Sequence, residues 1–257
     1  MKADKTLHPL VEEILRSGRV PTNDGRIVEA HSHIPRDECE LLYRQVAETR
    51  ATEAIEVGMA FGISTLCLCD ALSRNTLPER GKRPHLVVMD PDQSGWRLGL
   101  QNVRSAGFSD LLEFYERTSQ AVLPELVTRG QRVQFAFIDG LHTFDHALID
   151  FFYVDQMMEI GGVIVFDDVG WPAINAVVRF VLANRDYELV EALNQPRTSA
   201  GNRGKRFVKR LLRPLARTDK DPTERHRRLF RKLEWAHSVA VRKVAPDTRP
   251  PSHYCPF

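Results

Sequence analysis

Six side chains of this 257-residue chain have the types and spacing to do chemistry together: Glu56, Asp90, Asp139, His142, Asp167 and Asp168. The acids lie at or just past the ends of four apolar runs, Ala54 to Val57, His85 to Met89, Val133 to Ile138 and Gly162 to Phe166. In an open α/β sheet ligands bind at the carboxyl ends of the strands. A single acid there is an ordinary turn residue, but acids on four strand ends facing one edge point to a ligand. Asp139, Asp167 and Asp168 together offer hard oxygen donors, which suit a divalent cation such as Mg2+ that keeps several of its waters. The plainer alternative has Asp167 capping the next segment and Asp139 turning with Gly140. His142 follows Asp139 by three residues. An imidazole at the mouth of such a cleft titrates near neutrality and can serve as a general base, or it can simply be a hydrogen-bonded loop histidine. His146 falls on the same helical face if a helix has begun there, while His31 and His33 precede the first core strand.

The segment Glu56-Val57-Gly58-Met59-Ala60-Phe61-Gly62-Ile63-Ser64-Thr65 reads as a strand, a tight turn and a helix start that Ser64 or Thr65 could cap. Glycine at 58 and 62 lets the backbone turn sharply and lets a ligand approach main-chain N–H groups. The turn has G-x-x-x-G preceded by an acid and lacks the G-x-G-x-x-G of dinucleotide sites. A pyrophosphate cradle is therefore disfavoured, and a nucleoside with a small charged tail fits better. Asp90, at the tip of the next strand, is placed to accept both hydroxyls of a ribose. Trp96 and Trp171, just past two strand ends, could flank the nucleoside and a second substrate, or pack as core or lid.

These groups need a scaffold, and the pattern supplies one. From residue 54 the chain alternates strand and helix five times: strands at 54–57, 85–89, 111–115, 133–138 and 162–166, with helices at about 64–72, 95–106, 120–128, 144–158 and 172–183. That beat predicts a doubly wound α/β fold of Rossmann-like type. Tyr187 to Leu193 and Ser238 to Val244 add two strands, an antiparallel edge carrying a basic helical insertion at about 196–235. Residues 1–50 read as a helical preface to the domain spanning 51–257, with a helix over 6–16 ended by a loop at the Gly18, Pro21, Asn23, Asp24 and Gly25 cluster, a short extended segment at Ile27 to His33, and a helix over 37–49.

Composition narrows the setting. Between Arg197 and Lys232 there are 14 Lys and Arg against three acids, a net +11 against −9 for the remainder of the chain. Clustered cations attract phosphate, so a nucleic-acid enzyme or binding protein is a rival reading. The span has only Phe207 and Phe230 for base stacking, and its apolar residues recur at helical spacing, which favours a lid or dimer helix with a solvated face. A third reading gives it an anionic acceptor, and a fourth makes the whole chain a non-catalytic binding module. Cys39, Cys67, Cys69 and Cys255 form no C-x-x-C pair, so neither a disulfide framework nor a thiolate metal site is expected. No apolar run of membrane-spanning length occurs and the first residues lack a signal-peptide core, so a soluble cytoplasmic protein is expected.

Taken with Val88-Met89-Asp90-Pro91, Phe137-Ile138-Asp139-Gly140-Leu141-His142 and Gly161-Gly162-Val163-Ile164-Val165-Phe166-Asp167-Asp168, the 56–65 segment resembles the successive motifs of class I S-adenosylmethionine-dependent methyltransferases. The nearest branch is the bacterial small-molecule and sugar O-methyltransferases, and the likeness spans about residues 36–193. The resemblance implies a seven-stranded, mostly parallel sheet with the last strand antiparallel. It implies that Glu56, Gly58, Ala60, Gly62 and Ser64 hold the methionine part of the cofactor, Asp90 the ribose, and Thr118-Ser119-Gln120 the adenine. It further implies Mg2+ on Asp139, Asp167 and Asp168, with Asp139 also beside the cofactor. Relatives acting on macrolide and aminocoumarin sugars often carry Asp-Gly-Asp after the fourth strand, whereas Leu141 fills the third place here, which moves His142 forward as the base. The expected activity is methylation of a hydroxyl on a small molecule or sugar; separately, exposed amphipathic helices would suit a homodimer, although the residues do not define the oligomeric state.

Overall fold

The computed structural model describes residues 6–22, 24–31, 33–75, 83–93, 97–194, 222–233 and 235–257. Helix α1 (Pro9–Ser17) leads into a two-stranded hairpin, β1 (Arg19–Pro21) and β2 (Ile27–Glu29), and then α2 (Arg36–Thr49). Strand β2 falls in the segment that reads as extended, whereas β1 lies in the glycine and proline cluster that reads as loop. Pro21 is tolerated because it sits at the end of a short, isolated strand.

The main sheet contains β3 (Glu53–Val57), β4 (His85–Met89), β5 (Leu112–Tyr115), β6 (Val133–Ile138), β7 (Met158–Phe166), β8 (Tyr187–Asn194) and β9 (Ala236–Lys243). Its order is β5-β4-β3-β6-β7-β9-β8. The first five strands pair in parallel, and β9 runs antiparallel between β7 and β8. The expected seven-stranded sheet is present, but its edge is β8. Nearly every residue of β9 is buried, as an interior strand requires, whereas most of β8 is only partly covered. Apart from Gln134, β6 is apolar throughout, because both its faces are covered.

Helices α1, α2, α3 (Ile63–Ser73) and α4 (Leu98–Ser105) build the core on one face, where Leu41, Leu42, Leu66, Phe135 and Phe137 meet. α5 (Ser119–Thr128), α6 (Phe144–Met157), α7 (Pro172–Asn184) and α8 (Pro222–Leu233) cover the other, around Ile55, Phe151, Phe166 and Val178. The strand order reverses between β3 and β6, which makes the crevice past their ends the ligand position of such sheets. Trp96 and the helical spacing at Phe207 to Leu215 fall outside the described residues. Among the described residues no helix is long and apolar enough to cross a membrane.

Candidate active site

The turn after β3 is shaped by the chain around it. A Cβ on Gly58, whose φ is +92°, would lie 2.1 Å from the Asp139 carbonyl oxygen. One on Gly62 (φ +75°) would lie 3.0 Å from the Gly99 backbone. Both glycines are required because neighbouring main chain, rather than a ligand alone, fills the space. Gly62 itself caps α3 in the left-handed conformation, so Ser64 and Thr65 are not caps. They lie inside the helix, buried, with their hydroxyls toward the Glu56 carboxyl. Glu56 is fully buried and neither of its oxygens makes a hydrogen bond. Burial pushes its carboxyl up to about 8, the two hydroxyls ease the shift, and the charges of Asp139 and Asp90 add to it.

Asp90 braces the same turn. Its Oδ2 accepts the main-chain N–H groups of Met59 and Ala60, each at 2.8 Å, and its Oδ1 accepts that of Asp92 at 2.8 Å. Gln93 donates to the Ala60 carbonyl at 2.8 Å and Asn102 to that of Phe61 at 2.9 Å. A carboxylate has about four acceptor positions. Gln93 Nε2 also lies 3.5 Å from Oδ2, so the turn itself engages most of the acceptor positions of Asp90.

Beside the turn, the loops after β6 and β7 bring Asp139, His142 and Asp168 together. His142 Nε2 lies 3.2 Å from Asp139 Oδ1, and Nδ1 lies 3.5 Å from Asp168 Oδ2. The contact with Asp139, followed by the charges of Asp139, Asp168 and Asp167, raises the imidazole above its ordinary value against the opposing effect of burial. Trp171 tilts over the ring with centroids 5.5 Å apart, and its main-chain N–H donates to the Asp168 carbonyl at 2.8 Å. Asp168 holds φ at +51°, a conformation that aspartate tolerates. Asp167 accepts from the Ser238 hydroxyl at 3.4 Å, and burial with the Asp139 charge pushes it up to about 7. His146 bonds Thr143 and pairs with Asp145; His31 packs edge-on against Phe61 and His33 is exposed.

Two buried acids join this site without having been singled out in the sequence. Glu38 of α2 is fully buried, and the charges of Asp167 and Asp139 bear on it. The signal was there: Glu38 shares the buried stripe of α2 with Leu41, Leu42, Gln45 and Val46, an acid where an apolar residue is the rule. Asp150 of α6 packs behind Gly140, and the hydroxyl of Ser119 at the start of α5 moderates a carboxyl that burial pushes up to about 6.

Carboxylate oxygens and an orphaned buried acid are the right chemistry for a hard cation. Yet among the described residues no three ligand side chains are gathered in metal-binding geometry, because His142 stands between two of the aspartates. The expectation that Asp139, Asp167 and Asp168 already converge is not met in this arrangement.

Residues 55–169, from β3 through the loop after β7, match the family described as "Methyltransferase domain". The chain is similar to tapetum-specific methyltransferase 1 of Arabidopsis thaliana, 28% identical over 173 residues that cover 65% of this chain and 68% of that one. It is 27% identical to the caffeoyl-CoA O-methyltransferase of Populus kitakamiensis, covering 64% of each. In fold it resembles the O-methyltransferase TomG of Streptomyces achromogenes, with TM-score 0.57, 18% identity and 83% and 82% of the two chains covered. It likewise resembles an O-methyltransferase of Bacillus cereus, with TM-score 0.57, 19% identity and coverage of 74% and 86%. The chain is an S-adenosylmethionine-dependent methyltransferase.

Proposed function

We propose that this enzyme methylates a hydroxyl oxygen of a small molecule, with His142 as the base. The observation that carries the reading is the imidazole held between Asp139 and Asp168, on the loop that packs against the glycine turn. S-adenosylmethionine supplies a methyl group already activated on sulfur, so the protein has to align an oxygen in line and remove its proton. In this reading Glu56, Gly58, Ala60, Gly62 and Ser64 form the wall toward the methionine end, Asp90 takes a ribose hydroxyl, and Ser119 stands on the adenine side with Asp139 between cofactor and base. Asp139 fixes the imidazole through Nε2; Nδ1, whose contact with Asp168 is the longer at 3.5 Å, turns to the acceptor hydroxyl and takes its proton, and both carboxylates stabilise the imidazolium that results. Leu141 and Trp171, both exposed beside His142, form the acceptor side. Asp139, Asp167 and Asp168 would hold a divalent cation, which when bound lowers the pKa of a hydroxyl beside it. The plant O-methyltransferases in the comparisons and the sugar enzymes that the motifs resemble both support an oxygen acceptor, and the acceptor class separates the two branches.

The test is turnover of S-adenosylmethionine on a panel of phenolic, sugar and anionic hydroxyl compounds, with S-adenosylhomocysteine release as readout. Methylation confined to nitrogen acceptors overturns the reading. Chelation or Asp167→Ala is expected to abolish turnover with cofactor affinity nearly unchanged. Full activity in excess EDTA would remove the cation and leave His142 acting alone, a second reading that the His142 position between two aspartates favours. Steeply salt-dependent binding of tRNA would revive the nucleic-acid reading.

A further inference from the structure

One buried polar side chain at this edge takes no part in the proton transfer. His237 lies at the start of β9, where that strand reaches past the end of β7: Val169 donates its main-chain N–H to the His237 carbonyl at 2.8 Å, and the Ser238 hydroxyl reaches Asp167 at 3.4 Å. The loop that carries Asp167, Asp168 and Trp171 is thus laid along this residue. Asn175 ties the same loop to the chain entering β9, donating to the carbonyls of Val169 at 3.2 Å and Leu233 at 3.1 Å. His237 is also an extra residue in its strand. Leu193 of β8 faces Ser238 and the next residue, Asn194, faces Ala236, so His237 has no opposite number in the pair. Such a bulge re-aims a side chain, and bulges recur beside active sites. Here it breaks the alternation: Ala236 and Val239 both pack in the core around Phe166 and Val178, which leaves His237 beside Ser238 at the catalytic edge. The residue is only 8% exposed, and neither ring nitrogen makes a hydrogen bond. Burying an imidazole with both nitrogens unpaired is disfavoured, and an apolar side chain would fill the place without that penalty. Bulge and unpaired ring together are explained by a bound molecule that supplies the missing hydrogen bond.

We propose that His237 is a specificity-determining residue of the acceptor site, which hydrogen-bonds a second oxygen of the acceptor, apart from the hydroxyl that is methylated. The proposal rests on the reading that a hydroxyl compound binds beside Leu141 and Trp171. A neutral imidazole offers one N–H donor and one acceptor nitrogen, so an uncharged oxygen function, a hydroxyl above all, suits it. An acceptor without that oxygen leaves the ring buried and unpaired, which is how a polar site rejects an apolar analogue. The substrate class is therefore a small molecule with at least two oxygens, one methylated beside His142 and one held at His237.

The experiment takes the phenolic or sugar acceptor that the full chain methylates fastest and compares its kcat/KM with those of analogues that each lack one of the other oxygens. Wild type is expected to lose about tenfold or more on one analogue. His237→Leu is expected to treat that analogue and the parent alike to within about twofold, with S-adenosylhomocysteine affinity also within about twofold of wild type. His237→Phe keeps a ring without the nitrogens and carries the same expectations if His237→Leu fails to fold. Discrimination that persists in these variants overturns the proposal. An equal loss on parent and analogue does so too, since it makes His237 a structural residue. So does a wild-type chain whose turnover no oxygen removal weakens, and in these three cases O-methylation itself stands. A wild-type chain that methylates no hydroxyl compound overturns the functional reading, and the proposal with it.

Discussion

His142 and Glu56 are both titratable, and their surroundings push them in ways that make opposite demands on pH. The two aspartates favour the imidazolium, so His142 gives up its proton only above the ordinary histidine value of about 6.5. A base must be neutral to act. Single-turnover methyl transfer should therefore fall on the acid side with an apparent pKa above about 6.5, and His142→Gln should lose at least about 100-fold in rate while binding cofactor normally. A wild-type acid limb that survives in His142→Gln would take the base role away from this residue. Glu56 is a stability question. Its folded value is raised to about 8 from 4.5, so the unfolded chain ionises first and stability is lost as pH climbs from 4.5 toward 8. Glu56→Gln should then match wild type near pH 4 and exceed it near pH 7 by on the order of 3 kcal/mol. Chemical denaturation at the two pH values measures this, and an equal difference at both would mean that Glu56 is ionised in the fold. The same substitution should weaken cofactor binding if Glu56 faces the methionine end.

The glycine turn and the loop after β6 are one unit, because the Asp139 carbonyl occupies the place of a Gly58 side chain. Gly58→Ala thus meets main chain as well as an unfavourable φ, and about 3 kcal/mol or more of destabilisation is expected. Gly130→Ala is the control. It has the same backbone handedness, φ +76°, but open space around it, so only about 1 kcal/mol is expected there. Similar melting-temperature losses in the two variants would show that backbone conformation, rather than the Asp139 contact, dictates glycine at 58. This pair also marks what sequence can and cannot convey about an element. That residues 58 and 62 must be glycine was legible from the turn. What presses on them was not, since Asp139 and Gly99 come from other strand-to-helix units. Likewise β3, β4, β6 and β7 announce themselves as apolar runs buried on both faces, so the order of residues alone is enough to place the acids at their ends. Glu38 is not legible in that way, because its significance depends on α2 folding back over β7. The helix cap misled for a local reason: Ser64 and Thr65 are drawn inward by Glu56, leaving Gly62 to cap alone.

Across the molecule, the parallel half of the sheet ends in chemistry, while its last strands are fastened at the far end. Asp155, at the close of α6, accepts from the Tyr187 hydroxyl at 2.8 Å and pairs with Lys243 at 3.1 Å and with Arg185. Lys243 also donates to the Asp155 carbonyl at 2.7 Å, and Arg185 reaches Asp247 at 3.1 Å. One carboxylate therefore joins α6, the start of β8 and the end of β9, and it is almost entirely buried. The strand order β7-β9-β8 needs such a fastening, since β9 reaches its slot only after a long excursion through a strongly basic stretch of chain. Removing the Asp155 charge leaves Arg185 and Lys243 facing each other with less compensation, a change that typically destabilises by about 3–5 kcal/mol. Asp155→Asn should accordingly lower the unfolding free energy by an amount of that order. The network lies at the opposite end of β8 and β9 from the catalytic edge, so cofactor affinity and the pH profile of the folded variant should match wild type below its melting temperature. A variant that keeps its stability would show that the antiparallel pairing of β7 with β9 suffices to hold the sheet. A shifted pH profile would instead reveal coupling from the far end of the sheet to His142.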